Sequence, residues 1–154
     1  MKHAGFNSEE LSKVYRNIVR PVADYMSVVY HSMLTDLQDE RIERLQAQAL
    51  KFIYGKDVKY SEMRERAGVS TLRARRVEAC DKFAAKCSEI SRFGHWFPRK
   101  AAPSQPVRGK RPEIFVEKFA RCDRLCNSPL HYMRRRLNGK DGKLYGARNR
   151  KYRE

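Results

Sequence analysis

The chain has no stretch long and apolar enough to suggest a membrane span. The uncharged run Tyr25 to Leu34, which only Thr35 extends before the next charge, falls well short of the roughly 20 residues that a bilayer helix needs. The N-terminus also lacks the charged-then-apolar pattern of a signal peptide. Cysteine is sparse: Cys80, Cys87, Cys122 and Cys126 sit inside helix-like segments rather than in a turn-rich framework, and so read as reduced thiols. These absences predict an intracellular chain, nuclear or cytoplasmic, with no membrane partner. No two aspartates are adjacent. Asp24, Asp36, Asp39, Asp57, Asp81, Asp123 and Asp141 are scattered among basic neighbours, which gives no convergent carboxylate set for a two-metal polymerase or nuclease. Neither Cys80 nor His95 comes with a nucleophile elbow or an orienting motif. The sequence therefore predicts no catalytic residues and no cofactor.

Acidic residues are scarce in one half only. The formal charge is +16, but residues 1–91 hold 16 basic and 13 acidic side chains, net +3, whereas residues 92–154 hold 18 and 5, net +13. The C-terminal part is the one that seeks polyanions.

What is present in the first half is helical periodicity. Thr35 to Gly55 has Leu37, Ile42, Leu45, Ala49, Phe52 and Ile53 mostly at steps of three or four, with Thr35 and Gln38 placed for a capping box and Gly55 for the helix end. Upstream, Asn7 or Ser8 can cap a helix whose Leu11, Tyr15, Ile18, Val22, Tyr25 and Val29 keep one phase through Pro21, which predicts a kink there rather than a reversal. The short link after Val29 predicts antiparallel packing through Ile18, Val22, Tyr25, Val29, Ile42, Leu45, Ala49 and Phe52. A brief helix over Tyr60 to Ala67, capped by Ser61 and ended at Gly68, precedes a third long helix from Thr71. Leu72, Cys80, Phe83, Ala84, Cys87 and Ile90 share one side of that helix, and Arg73, Arg76, Lys82 and Lys86 take the other.

Composition changes at Arg92. The following aromatics, prolines and basic residues have no period; Glu113 to Leu125 leans to helix; and Ser128 with Pro129 opens a last helix stopped by Asn138 and Gly139. The expected architecture is all-α: a small bundle over 1–91, an irregular aromatic and basic segment with short helices over 92–138, and a disordered basic tail over 139–154. Cys122, Cys126 and His131, with Cys87 or His95 as a fourth, have zinc-like spacing, but Cys122 and Cys126 share a helical face, so structural thiols are the reading and no metal is assigned.

The first two helices also carry a family pattern. Tyr15-Arg16-Asn17-Ile18-Val19-Arg20-Pro21-Val22-Ala23-Asp24-Tyr25, followed by Ile42 through Ile53, resembles the segment after the polymerase palm in non-LTR (LINE-type) retrotransposon reverse transcriptases. Later pieces are similar to the C-terminal tail of some of these elements: Thr71-Leu72 with Arg75-Arg76, His95-Trp96-Phe97-Pro98, and Asn127 to Leu130 with Tyr132-Met133 and Leu137-Asn138. Tyr30 stands where the family usually has Trp, Ala47-Gln48 replace a pair commonly basic, and the Tyr-x-Asp-Asp turn of the palm is missing. The resemblance implies a thumb-and-tail module without the catalytic palm, one that holds a template-primer duplex.

Two functions are consistent with this reading. The first is a non-catalytic module that binds RNA, DNA or their hybrid through phosphates. Its contacts would be Arg75, Arg76 and Lys86 on the third helix, then Arg108, Lys110, Arg111, Arg134, Arg135, Arg136, Arg148, Arg150 and Lys151, with Trp96 and Phe97 able to stack bases. Arg134 to Arg136 occupy consecutive helical positions and are expected to fan outward rather than enter a core. The second is a helical protein-interaction domain or inert remnant whose apolar stripes once packed on a polymerase palm, marked by exposed apolar patches or self-association.

Overall fold

The computed structural model describes residues 5–100, 114–117 and 122–140, and its described residues are all-α with a single isolated antiparallel bridge, Arg99 to Phe115. The helices are α1 (Ser8–Val14), α2 (Arg20–Asp24), α3 (Ser27–Tyr30), α4 (Asp36–Tyr54), α5 (Tyr60–Ala67), α6 (Leu72–Glu89), α7 (Asp123–Cys126) and α8 (Pro129–Leu137). None is long and apolar enough to cross a membrane. The chain divides into two compact units, Met1–Ser27 with Leu34–Val77 and Val28–Met33 with Glu78–Glu154, so the composition break at Arg92 is not the structural boundary.

Local chemistry sets most helix ends. Glu10 accepts a hydrogen bond from the Asn7 amide (2.9 Å) at the start of α1. Thr35 Oγ1 accepts from the Gln38 amide (3.3 Å) and Gln38 Oε1 from the Thr35 amide (2.9 Å), closing the capping box of α4. Gly55 (φ 105°) and Gly68 (φ 61°) end α4 and α5 with backbone angles that side chains resist. Ser128 and Pro129 open α8, and Gly139 (φ 73°) follows its end. Lys59 rather than Ser61 is the cap of α5.

In the first unit, α1 and α4 do run antiparallel. Tyr54 donates to Ser12 Oγ (3.3 Å) and Tyr15 to Gln46 Oε1 (2.9 Å), so the pairing advances along one helix as it retreats along the other. The faces in contact are not the ones expected. The core holds Leu11, Tyr15, Leu50, Ile53, Met63, Ala67 and Val69, while Ile18, Val22, Tyr25 and Leu45 are 64, 74, 75 and 62% exposed, and Phe52 and Val29 also face outward.

Two physical causes account for this. A π-turn over Tyr15–Val19 sits just ahead of Pro21, whose ring crowds the carbonyl four residues back and which has no amide hydrogen to offer it. The turn adds a residue, so the buried phase steps from Tyr15 to Arg20 instead of to Ile18 or Val19. The helix then ends at Asp24, and Met26 takes a left-handed conformation (φ 53°) before α3, so Val22 and Val29 do not share one helix.

On α4 the buried stripe is Asp39, Gln46, Leu50 and Ile53, half of it polar and held by hydrogen bonds. Gln46 Nε2 donates to Tyr60 Oη (2.9 Å) and to the Ser70 carbonyl (3.1 Å), and Tyr60 donates to Glu43 (2.5 Å). The second Glu43 oxygen accepts from the amides of Leu72 (3.0 Å) and Arg73 (3.4 Å), which caps α6.

In the second unit Cys80, Ala84, Cys87, Phe97, Phe115, Tyr132 and Met133 form the core, with Val28, Phe93, Trp96, Leu130 and Leu137 against it. Phe83 and Ile90, placed by the pattern on the apolar side of α6, are substantially exposed. Ile114 to Glu117 is extended rather than helical: Lys100 donates to the Ile114 carbonyl and Val116 to that of Pro98 (both 2.8 Å). Asn138 locks this segment to the end of α8, accepting from the amides of Ile114 (3.0 Å) and Phe115 (2.9 Å) and donating to the Phe115 carbonyl (3.0 Å).

Candidate docking groove and the placement of the basic residues

The exposed apolar residues of the first unit form a groove. Ile18, Val19, Val22 and Ala23 face Leu45 across a space of about 450 Å³, with Tyr15, Gln46, Arg20 and Leu72 completing its walls. Three of the eight residues expected in the helix–helix core, Ile18, Val22 and Leu45, are therefore gathered, but on the outside.

Arg20 is, with Gln46, a buried polar residue of this wall. Its Nη2 donates to the Ser70 carbonyl (2.8 Å) and Ser70 Oγ (3.1 Å), while its Nε makes no hydrogen bond. Burial and then the nearby Arg75 lower its pKa, partly offset by Asp24. Burial likewise pushes the Tyr15 hydroxyl up to about 12, so it stays a neutral hydrogen-bond donor at physiological pH. Tyr60 is raised by burial and by its hydrogen bond to Glu43.

The basic residues singled out in the sequence are placed very differently from one another. Lys86 is exposed, and Arg75 is half-exposed against Asp24. Arg76 is fully buried and donates from Nη2 to Asp39 (2.7 Å), itself buried. Arg134 and Arg135 do not fan outward. Arg134 Nε donates to the Trp96 carbonyl (2.7 Å) and Arg135 Nη1 to that of Cys126 (2.6 Å), both side chains being buried. Burial lowers the Arg134 pKa. Arg136 forks onto both oxygens of Asp81 (2.9 and 2.5 Å). Helical fanning is satisfied because each of the three directions ends on an acceptor: two carbonyls and a carboxylate. The three arginines thus clamp α8 to its surroundings. Arg108, Lys110, Arg111, Arg148, Arg150 and Lys151 lie outside the described residues.

Of the two aromatics considered for base stacking, Phe97 is buried edge-on to Phe115, with centroids 6.0 Å apart, and Trp96 is half-buried and stacked on Phe93 at 4.7 Å. Both anchor the core of the second unit. Cys122 is exposed and Cys126 partly so, and among the described residues no three His, Cys, Asp or Glu side chains gather as a metal site.

Sequence reasoning missed Arg20, Asp39 and Gln46 as buried polar residues, and Glu43 as the partly buried carboxylate that accepts from Tyr60 and from the start of α6. The signal available was their spacing, since Asp39, Glu43 and Gln46 follow one another at steps of four and three and make a second stripe on α4. Comparison with protein-family models, curated proteins and solved structures gives no match to this chain.

Proposed function

We propose that the chain is a non-catalytic helical module that docks on a partner protein through the groove of its first unit. The observation that carries this reading is the exposure of Ile18, Val22 and Leu45 around one apolar groove. Apolar surface is costly to leave in water, at about 25 cal/mol per Å², and contiguous patches of it mark interaction sites. The two sequence blocks that resemble a LINE-type reverse transcriptase thumb supply most of the groove, and the surface that such a thumb meets is a polymerase palm. A palm from such an element is therefore the partner to test.

Co-expression of the full chain with that palm should yield a complex. Ile18→Asp or Val22→Asp should abolish co-purification while leaving helix content unchanged, because both positions are exposed. Failure of the unmodified chain to associate would overturn the reading, as would a complex indifferent to both substitutions.

The +13 net charge of residues 92–154 supports a second role, phosphate binding without base readout. Among the described basic residues Lys86 is better placed for this than the buried Arg76, Arg134 and Arg135. Titration of duplex and hybrid oligonucleotides across salt should show affinity falling by about 0.9 logarithmic units per tenfold salt for each phosphate contacted. A flat salt dependence would discard this role.

A further inference from the structure

Leu45, a wall of the groove, is also the midpoint of α4, which runs Asp36–Tyr54. At about 100° per residue Arg41, Leu45, Gln48 and Phe52 point within about 60° of one another, and all four are exposed. They make one strip along the helix. Glu40 and Lys51 lie on the same flank of that strip, about three turns apart, with Arg44 between them. Glu40 is exposed and 3.6 Å from Arg44, whereas Lys51 is exposed and makes no salt bridge among the described residues. Two other carboxylates beside the groove are already matched within the chain: Asp24 pairs with Arg75, and Glu43 accepts from amides at the start of α6.

Going beyond the docking reading, we infer that a second copy of this chain covers the groove when no other partner holds it, by antiparallel pairing of the two α4 helices about a two-fold axis at Leu45. In such a self-complementary contact, a residue a given number of positions before Leu45 faces the one equally far after it in the other copy. Glu40 therefore meets Lys51 of the second copy to within one residue, about 1.5 Å along the axis, and symmetry makes the contact twice. The apolar positions agree with this register. Leu45 meets its own counterpart, and Leu37 falls beside Phe52 of the second copy, all of them more than half exposed in the single chain. A parallel pairing would set Glu40 against Glu40 and Lys51 against Lys51, so charge selects the antiparallel one. Arg44 lies next to the axis, where its own Glu40 offsets it. The unit that carries this surface holds 14 basic and 10 acidic residues, net +4, so it bears little of the charge of +16 that would oppose self-association. Because both contacts use Leu45, self-association and docking of the palm exclude one another.

Sedimentation equilibrium of the full chain should show a monomer and dimer in exchange, with a dissociation constant on the order of 10 µM. Leu45→Asp should raise that constant at least about thirtyfold. Glu40→Lys and Lys51→Glu each place two like-charge contacts across the dimer, and each alone should weaken it by about tenfold. Mixing the two variants restores an unlike pair at both ends of the interface. An equimolar mixture should therefore form a heterodimer within about threefold of the original affinity, a recovery that neither misfolding nor attraction to some other surface would produce.

A chain that stays monomeric up to about 0.1 mM would overturn the second copy and leave palm docking to its own co-purification test. A dimer indifferent to Leu45→Asp would overturn the groove as its interface. A dimer lost with Leu45→Asp but unmoved by either charge variant, or weakened by them without recovery on mixing, would overturn the antiparallel pairing.

Discussion

Asp39→Ala is expected to destabilise the chain by about 3 to 5 kcal/mol, the cost of leaving a buried charge without its counter-ion. Asp39 and Arg76 are 4 and 0% exposed, and their contact is 2.7 Å. Arg76 Nε and Nη1 have no hydrogen-bond partner, so Asp39 is the acceptor that keeps this guanidinium in place. Removing it leaves a cation that can neither reach solvent nor lose its proton at neutral pH. The control is Asp39→Ala with Arg76→Met. The double variant should recover much of the loss, because an apolar pair of similar volume often serves as well as a buried ion pair. Denaturant unfolding checks both, and a single-variant loss under about 1 kcal/mol would mean that Arg76 is solvated.

Leu50→Ala is expected to cost about 2 to 5 kcal/mol, and Leu45→Ala less than about 0.5 kcal/mol. Leu50 is fully enclosed beside Leu11, Ile53 and Met63, so its truncation leaves a cavity. Leu45, five residues earlier, is a groove wall open to solvent. Sequence periodicity alone assigns the large cost to Leu45, so paired denaturation curves separate the two accounts. Equal losses would mean that α4 is rotated relative to the arrangement described here.

That rotation shows what local sequence carries. Caps were legible because their chemistry is local: Thr35 with Gln38, Asn7 with Glu10, and the glycines at 55, 68 and 139 act on neighbours within a few residues. The antiparallel pairing of the first and fourth helices was legible in the two apolar stripes and the short link. The buried face was not. A π-turn at Tyr15–Val19 changes the phase of everything after it, and hydrophobicity gives no weight to the buried Gln46 and Asp39 or to the partly buried Glu43, each of which is matched by a donor from another element.

The same reason hides the role of the α8 arginines. The acceptors of Arg134 and Arg136, the Trp96 carbonyl and Asp81, lie 38 and 55 residues away in sequence. A run of arginines reads as an exposed cationic patch until those distant acceptors are in place. Likewise the extended Ile114 to Glu117 owes its conformation to pairing with residues 98–100, which no local pattern reveals.

The central claim is that the apolar stripe of α2 and α4 is a surface for a partner rather than part of the fold. Thermal unfolding of Leu45→Asp tests it most directly, because a carboxylate placed in a core is destabilising whereas one on a solvent-open wall is tolerated. The account predicts an unfolding transition within about 0.5 kcal/mol of the unmodified chain, together with loss of docking. A variant destabilised by about 3 kcal/mol or more would contradict it and return Leu45 to the core.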